Sequence, residues 1–391
     1  MRRVLLPAVI FLLVLVGPSY AQTSTGAIAG VVRDPSGAGV AGAEVTVTNE
    51  QTGQQRRVTT SDGGRYVAAL LVPGTYSIVA RSPVFRDSSG VVEVQAGTVV
   101  TLDLPFDVDT LAEVVRVSAA APVSLDSHEV VGWVSRTQID RQPLNGRNTL
   151  ELVKLEPGIT PPDRLSNGRT FVAPLGAGLQ TSPRVGFTRV TLDGGNIETP
   201  GTVGTLLQIS PEVTEQIQVS TVNFDPTIGL ATSGAVNVVT RSGGNVIHGG
   251  AFSLYRDRQW SAYPMAEATG LATDPSFRRN QAGGTIGGPV RSNRMFFYAG
   301  YERHDQRDVI PVVPADPDLR ALGGTFASPY SGTLFTARLD VQFADRHRGF
   351  IRHTHDANNS FVPSGAPLVL PSGWVRRPRW RCAQVRTRQP P

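Results

Sequence analysis

The cleanest alternation of apolar and polar side chains in the chain lies within Thr333–Phe343. Apolar residues occupy every second position from Phe335 to Phe343, and polar or charged residues fill the positions between them. Successive side chains of a β-strand point to opposite faces, so this period predicts a strand with one apolar and one polar face. Strands of membrane barrels and of soluble sandwiches share the period, so alternation alone does not choose between them. Other predicted strands of this kind are Ala251–Tyr255, Gln281–Pro289, Met295–Tyr301 and Arg348–Thr354.

Met1–Ala21 has the features of a secretion signal. Two arginines precede the apolar run Val4–Val16, and Ser19–Ala21 supplies small residues, which predicts cleavage between Ala21 and Gln22. An uncleaved anchor is the alternative, but the run is shorter than the about 20 apolar residues of a spanning helix. Because no later segment is long and apolar enough to form such a helix, entry into a membrane would require a β-barrel.

Leu207–Asp257 connects the predicted barrel strands with the earlier part of the chain. Pro211–Gln216 begins with proline and carries two glutamates, which predicts a short helix leading into a strand at Ile217–Thr221. Ala235–Thr240 is largely apolar and β-branched on both faces, which predicts a strand buried on both sides. A Ser-Gly-Gly hinge then precedes longer, aromatic-ended strands from Gly244 onward.

Motifs in this stretch and on both sides of it resemble one family in a fixed order. SGAVNVVTRSGGN and HGGAFSLYRD resemble the end of the plug domain and the first barrel strand of TonB-dependent outer-membrane receptors. PLNGRNTLELVKLEPGIT, RVTLDGGN and FRRNQAGGTIGGPVRSNRMFFYAGYERHDQR resemble the subfamily with a carboxypeptidase-regulatory-like domain before the plug. The resemblance implies a mainly β chain: an N-terminal transthyretin-like β-sandwich, an α+β plug domain and the first strands of an antiparallel transmembrane β-barrel.

Residues 22–106 are predicted to form the small β-sandwich. About seven strands are separated by turn sequences at Asp34–Gly37, Ser61–Gly64 and Val72–Gly74. The pattern of these strands and turns is similar to the carboxypeptidase-regulatory-like family. That name does not imply peptidase activity, because a zinc peptidase needs converging histidine and carboxylate ligands, and this stretch contains no histidine. The expected role is that of a spacer or interaction module in the periplasm.

Residues 107–122 are predicted to be a linker with one extended segment. That segment consists of Glu113, Val114, Val115, Arg116, Val117 and Ser118. Its valines favour extended backbone, and it resembles the family's TonB box, which an inner-membrane partner captures by adding it as a strand to its own sheet. The alternative is that the segment is the first strand of the plug.

Residues 123–243 are predicted to be the plug. Short helical patterns cover Trp133–Arg141 and Asn148–Leu155, and a Pro-Gly pair ends the second one. Asp193 follows a predicted strand in the sequence LDGGN, where Asp-Gly is ordinary chemistry of a tight turn. A catalytic carboxylate is the alternative for Asp193, but no paired base accompanies it.

The sequence offers no constellation of catalytic residues. His353 and His355 share one strand face and could form a metal pair, but no cysteine or carboxylate cluster accompanies them, and a solvated barrel lumen or loop explains them equally well. No phosphate loop, nucleophile elbow or pair of catalytic carboxylates is present. We therefore expect no enzyme, no catalytic or metal site and no cofactor.

The formal net charge of +5 is concentrated at the C-terminal end. Pro371–Pro391 holds six arginines and no acidic residue, and no basic cluster elsewhere is interleaved with aromatics, which argues against nucleic acid as a partner. Residues 244–370 supply about five or six strands at about 10 residues each, whereas a barrel that encloses a plug has about 22. With 36 arginines and the single lysine Lys154, these features favour a fragment whose residues 371–391 are out of frame. A basic tail that binds anionic lipid is the alternative.

Two functions remain open at this point. The first is a TonB-dependent transporter in the cell outer membrane, with its sandwich and plug facing the periplasm. Its partners would be a TonB-type inner-membrane energy-coupling complex, outer-membrane lipid and an unidentified small-molecule, saccharide or peptide substrate. The second is a secreted or surface-attached β-module protein for adhesion or carbohydrate binding. A transporter would stay with outer membranes after a high-salt wash, whereas a secreted module would appear in the medium.

Overall fold

A computed structural model describes residues 25–106, 115–117, 130–156, 188–197, 207–222, 234–260, 276–307, 309–312, 318, 324–327, 329–344 and 347–360. The predicted signal, its cleavage position between Ala21 and Gln22 and the basic tail from Pro371 lie outside these residues. Within the described ranges, no helix is long and apolar enough to cross a membrane.

The chain divides into two compact units that do not follow one another simply along the sequence. The first contains Met1–Leu144, Leu150–Leu206 and Thr214–Thr240. The second contains Asn145–Thr149, Leu207–Val213 and Arg241–Pro391. Two short segments from the middle of the chain therefore group with the C-terminal strands.

The N-terminal part of the first unit is a β-sandwich, as predicted. One sheet has the order β4-β1-β7 with β8 also paired to β1, and the other has the order β3-β2-β5-β6-β9. The strands are β1 Gly26–Arg33, β2 Glu44–Asn49, β3 Gln55–Thr59, β4 Arg65–Leu71, β5 Gly74–Arg81, β6 Ser88–Val94, β7 Val99–Thr101, β8 Leu104–Pro105 and β9 Val115–Val117.

Alternate residues of these strands meet in one apolar core. Ile28, Val45 and Ile78 are fully buried there, and each such side chain stabilises the fold by about 1.5–3 kcal/mol. The hydroxyl of Tyr66 lies in the same core and donates a hydrogen bond of 2.7 Å to the carbonyl oxygen of Leu102. Burial raises the pKa of this hydroxyl above its ordinary value. This buried hydroxyl therefore has the hydrogen-bonding partner that burial requires.

The sequence TVVTLDLPF, residues 98–106, predicts one last strand of the sandwich, but the structure divides it into β7 and β8. Leu102 donates its backbone N–H to Ala29, and the side chain of Asp103 accepts a hydrogen bond of 2.9 Å from the backbone N–H of Val31. β7 and β8 both run parallel to β1. In the residues that separate β7 from β8, these two contacts with β1 take the place of regular strand pairing. The single strand expected at this place is thus two strands.

The predicted TonB box is described only at Val115–Val117, which form β9; Glu113, Val114 and Ser118 lie outside the described residues. β9 pairs in parallel with β6 of the sandwich. It is therefore a strand of the N-terminal domain rather than the first strand of the middle sheet.

The rest of the first unit is a five-stranded sheet of order β10-β13-β14-β11-β12. Every residue of β14 is buried, which confirms the prediction of a strand covered on both faces. The indole Nε1 of Trp133 donates a hydrogen bond of 3.3 Å to the carbonyl oxygen of Ala96 in the sandwich. The strands are β10 Val130–Val134, β11 Thr188–Leu192, β12 Gly195–Asn196, β13 Thr214–Val222 and β14 Gly234–Thr240.

The predicted helices of this region are shorter than expected. Trp133 and Val134 belong to β10, where they pair with β13, and helix α1 covers only Arg136–Arg141. Ser135 caps α1 in a capping box with Gln138, which fixes its first residue.

The other two helical predictions are also corrected. The prediction for Asn148–Leu155 becomes a 3₁₀ helix at Thr149–Leu155. Only Pro211–Val213 of the predicted helix Pro211–Gln216 is helical, as a 3₁₀ turn, because β13 begins at Thr214 and pairs with β14.

Asp193 lies in a tight turn between β11 and β12, as predicted. Asp193 and Gly194 both have positive φ, of 49° and 83°. The carboxylate has a further structural role, since it accepts hydrogen bonds of 2.8 Å from the backbone N–H and 2.6 Å from the hydroxyl of Thr240. Those bonds tie the turn to the end of β14.

The second unit is built on an antiparallel meander of order β15-β16-β17-β20-β21, with a separate hairpin of β18 and β19. The main strands pair in antiparallel register, with one irregularity at Pro289/Arg291 and one at Gln342/Ala344, and are longer than predicted. The strands are β15 His248–Asp257, β16 Arg278–Arg291, β17 Met295–Arg307, β18 Val309–Val312, β19 Gly324–Ala327, β20 Tyr330–Ala344 and β21 His347–Ser360.

The two faces of this meander differ in the way that the alternation predicted. Phe343 is 72% exposed and Ile351 is 73% exposed. Polar side chains of the opposite face are covered, among them Thr336 and Arg338 of β20. His353 and His355 lie on β21, and no cluster of three or more metal-ligating side chains occurs within the described parts of the chain.

Candidate functional site

The covered face of β16 and β17 carries an unusual number of buried polar side chains. Arg279, Gln281, Glu302, His304 and Gln306 are each 3–6% exposed. Burying polar and charged groups is unfavourable unless each finds a hydrogen-bonding partner. Much of that demand is met by the Asn145–Thr149 and Leu207–Val213 segments of the same unit.

Asn145 and Gly146 form a turn that docks on this face. The Asn145 side-chain oxygen accepts hydrogen bonds of 2.9 Å from Arg256 and 2.8 Å from Arg279. The carbonyl oxygen of Gly146 accepts one of 3.3 Å from Gln281. Gly146 has φ of 108°, which glycine adopts readily. The turn thereby satisfies two donors that the strands bury, those of Arg279 and Gln281.

Arg147 continues the turn and adopts the left-handed conformation with φ of 58°. This conformation costs a residue with a Cβ about 1–2 kcal/mol, so the surrounding contacts must hold it in place. Its Nη2 lies 2.9 Å from Glu212 Oε1, and its Nε lies 3.1 Å from Glu302 Oε1. The guanidinium also lies over the ring of Phe252, 3.8 Å from the ring centroid.

Glu302 is the most buried carboxylate of this group, with its side chain 4% exposed. Its second oxygen accepts a hydrogen bond of 2.6 Å from the hydroxyl of Ser210. We refer to Arg147, Ser210, Glu212 and Glu302 as the Arg147 cluster. In it, one guanidinium neutralises part of the charge of two carboxylates, and removal of either partner of such a buried pair costs about 3–5 kcal/mol.

Further contacts fasten the Leu207–Val213 segment to the strands. The hydroxyl of Tyr298 donates a hydrogen bond of 2.9 Å to the carbonyl oxygen of Glu212. The backbone N–H of Gln208 donates one of 2.9 Å to the carboxylate of Asp356. Opposite Val213, β17 carries Gly300, at which a Cβ would lie 2.4 Å from a Val213 methyl carbon. The absence of a side chain at Gly300 therefore lets Val213 approach the strand.

The two segments are also bonded to one another, since the hydroxyl of Thr149 donates a hydrogen bond of 2.7 Å to the carbonyl oxygen of Ile209. The space left beside Glu212, Glu302 and Thr336 measures about 10 Å³, room for roughly one water molecule. This arrangement anchors the two chain segments to the strands, and the space that it leaves is too small for a solute larger than water.

The sequence indicated part of this site. The motif PLNGRN is visible in the sequence, but the sequence does not predict that it contacts the strands, nor does it predict the roles of Ser210, Glu212 and Glu302. Two sequence features could have predicted the Arg147 cluster: an arginine directly after an Asn-Gly turn, and a glutamate at a polar-face position of β17. The residues of the predicted TonB box that the structure describes, Val115–Val117, belong to the first unit and lie outside this cluster.

Comparisons with known proteins give independent results. Residues 27–106 match the carboxypeptidase regulatory-like domain, and residues 239–334 match an outer membrane beta barrel domain. Over 298 residues the chain is 25% identical to the TonB-dependent transporter Oar of Myxococcus xanthus, covering 72% of this chain and 27% of that protein. The chain thus spans 27% of the length of this curated relative.

Two solved structures also show similarity. The outer membrane transporter YddB from Escherichia coli is 10% identical with a TM-score of 0.43, over 59% of this chain and 33% of that one. The Bacillus anthracis TIE protein is 26% identical with a TM-score of 0.19, over 21% of this chain and 16% of that one.

Proposed function

We propose that this chain, which joins a carboxypeptidase regulatory-like domain to an outer membrane β-barrel domain and belongs to the outer membrane, acts in TonB-dependent uptake. Residues 123–243 are the plug, and the sandwich and plug face the periplasm. The substrate is a small molecule, a saccharide or a peptide, and a TonB-type complex supplies the energy.

The observation that supports this function is the pairing of Arg147 with Glu302, which lie 155 residues apart in the sequence. Arg147 lies on a segment that precedes the middle sheet strands β11–β14, and Glu302 lies on a barrel strand. A plug needs contacts of this kind with the barrel strands. They hold the plug in place in the resting transporter and break when the plug is pulled. The side chain of Glu212 is 31% exposed, so water can reach the Arg147 cluster at this residue.

A reversible crosslink tests whether the Leu207–Val213 segment must leave the barrel strands. A Cβ built on Gly300 would lie 3.9 Å from the Cβ of Val213, close to the about 3.8 Å typical of disulfides. We therefore place cysteines at both positions by Val213→Cys and Gly300→Cys. Cys382, the single natural cysteine, is replaced by serine.

The measurement is uptake of radiolabelled nutrients from a panel of saccharides and oligopeptides by cells that carry the receptor. The oxidised pair should abolish uptake of the nutrient that the unmodified receptor imports, and a reductant should restore it. Each single-cysteine variant serves as the matched control. Undiminished uptake by the oxidised pair would show that the fastening does not open during transport.

A further inference from the structure

Asn145 and Gly146 form an Asn-Gly pair, the dipeptide in which asparagine most readily loses its side-chain amide. The backbone nitrogen of the following residue attacks the side-chain carbon Cγ, and glycine hinders this attack least because it has no Cβ. A succinimide ring forms and ammonia leaves. Water then opens the ring to aspartate or to isoaspartate, in which the main chain runs through Cγ. The chain contains one other such pair, Asn167-Gly168, and an arginine follows each pair.

The side-chain oxygen of Asn145 lies between two cationic donors. Nη1 of Arg256 lies 2.9 Å from this oxygen, and Nη1 of Arg279 lies 2.8 Å from it. When a nucleophile adds to Cγ, negative charge develops on the same oxygen. Enzymes stabilise such an oxyanion with preorganised donors about 2.7–3.1 Å away. The two guanidinium groups meet this distance and carry positive charge as well.

The nucleophile and the water that the reaction needs are also available. The backbone N–H of Gly146 donates no hydrogen bond to any of the described residues. The neighbouring guanidinium groups favour the anion that forms when this N–H gives its proton to water. Asn145 itself is exposed, so water can reach Cγ. The turn therefore presents the nucleophile, the oxyanion donors and the water of the reaction at one residue.

We propose that Asn145 is a site of self-modification, at which the folded protein converts a neutral amide into a carboxylate. The N–H proton of Gly146 passes to water, and the Gly146 nitrogen bonds to Cγ. The Cγ–Nδ2 bond breaks, and Nδ2 takes a proton from water and leaves as ammonia. A water molecule then adds to Cγ and breaks its bond to the Gly146 nitrogen, which recovers its proton. The net change consumes one water and releases one ammonia.

The same donors direct the opening of the ring. Water that adds to Cγ gives aspartate, whereas water that adds to the main-chain carbonyl carbon gives isoaspartate. Because Arg256 and Arg279 polarise the oxygen on Cγ, aspartate is the main product in the folded protein. Its carboxylate faces both guanidinium groups, and charge-assisted hydrogen bonds are about twice as strong as neutral ones. The reaction therefore strengthens the hold of the turn on β15 and β16.

Timed incubation of the freshly purified full chain at neutral pH in detergent micelles tests the proposal. Peptide mapping by mass spectrometry measures the conversion of Asn145 and of Asn167, and isoaspartate methyltransferase identifies isoaspartate. The same protein unfolded in urea gives the rate and the products of the sequence without the fold. Asn167 is the internal control in every sample, because it lies in the same tripeptide Asn-Gly-Arg.

Replacement of the oxyanion donors tests their role directly, with the variants Arg256→Gln and Arg279→Gln. The matched control is Arg278→Gln on β16, because the Arg278 guanidinium pairs with Asp257 at 3.3 Å. Loss of one oxyanion donor slows enzymes about 100- to 1,000-fold. Exposure of Asn145 to water weakens the effect, so each donor variant should slow its conversion about tenfold. Arg278→Gln should leave the rate unchanged, and no variant should change the rate at Asn167.

The expected result is that Asn145 converts faster in the folded protein than in urea, with mainly aspartate in the first case and mainly isoaspartate in the second. A rate in the folded protein that is equal to or below the rate in urea would overturn the proposal. So would predominant isoaspartate in the folded protein, or an unchanged rate in the donor variants. Arg256 is exposed, so Arg256→Gln gives this answer even if Arg279→Gln fails to fold.

Discussion

The sandwich and the barrel-type meander use the same strand period for opposite purposes. In the sandwich, the covered face is apolar, and Val45 and Ile78 are fully buried. In the meander, the covered face holds Arg279 and Glu302, at 3% and 4% exposure, while Ile351 of the opposite face is 73% exposed. An alternating sequence therefore specifies a two-faced strand, and the surroundings decide which face is covered.

The difference also changes what holds each region together. The sandwich gains stability from apolar area removed from water, which is non-directional. The covered face of the meander depends on partners for named polar groups, and many of those partners come from residues 145–149 and 207–213. Errors of packing should therefore be costly in the first region, and errors of pairing should be costly in the second.

The largest effect is expected from Arg147→Ala, which leaves the buried Glu302 without its guanidinium. We expect a loss of about 3–5 kcal/mol in the free energy of unfolding, measured by urea titration in detergent micelles with tryptophan fluorescence. Arg147→Lys should restore only part of this loss, because an ammonium group cannot replace the fork that reaches both Glu212 and Glu302.

The matched control is Arg303→Ala on the same strand as Glu302. The ion pair of Arg303 with Asp305 has side chains that are 48% and 53% exposed, so its loss should cost no more than about 1 kcal/mol. Equal losses for Arg147→Ala and Arg303→Ala would mean that burial does not set the strength of the Arg147 cluster.

The same substitution, isoleucine to alanine, should give the next largest contrast in stability when it is made in each of the two regions. Ile78→Ala should destabilise the sandwich by about 2–5 kcal/mol, because it removes buried methyl groups and leaves a cavity among fixed neighbours. Ile351→Ala should cost less than about 1 kcal/mol, because the side chain is 73% exposed and its loss leaves no enclosed cavity. Thermal unfolding of both variants, followed by circular dichroism, measures the contrast. Similar shifts in Tm would indicate that Ile351 packs against protein instead of lipid.

The sequence predicted most of the sandwich well because turn residues of recognisable chemistry separate many of its strands. Asp34 shows this: its carboxylate accepts hydrogen bonds from the backbone and hydroxyl of Ser36, and Gly37 has φ of 87°. The hydrogen bond from Ser36 holds the pKa of Asp34 below its ordinary value. Such local chemistry can be read from four consecutive residues.

Long-range pairing was the information that the sequence lacked. Trp133 fits a helical pattern locally, yet it pairs with Gln218 of β13. The barrel strands were predicted too short because charged residues such as Arg278 and Arg307 look like loop residues until the two strands pair. For the same reason the motif around Arg147 was recognised without its partner Glu302, which no local pattern connects to it.

The smallest expected effect concerns a carboxylate in the region of the middle sheet. Glu156 is half-buried beside Gly132, where a Cβ would lie 1.8 Å from a Glu156 carboxylate oxygen. Desolvation raises its pKa above the ordinary value of 4.5. Folding therefore favours the protonated form, which is the reverse of a carboxylate stabilised by an ion pair.

The sign of the pH dependence follows from that shift. Above pH 4.5 the unfolded chain releases the proton of Glu156 while the folded chain still retains it, so stability falls as the pH rises through the folded pKa. Glu156→Gln should remove this slope, which urea titrations of both proteins between pH 4 and about 7 would measure as a difference that grows with pH. Because the group is partly exposed, water screens the effect and the difference should be smaller than those expected for Arg147 and Ile78. A difference that shrinks as the pH rises would mean that Glu156 is stabilised as the carboxylate, and that the middle region relies on ion pairing just as the covered face of the meander does.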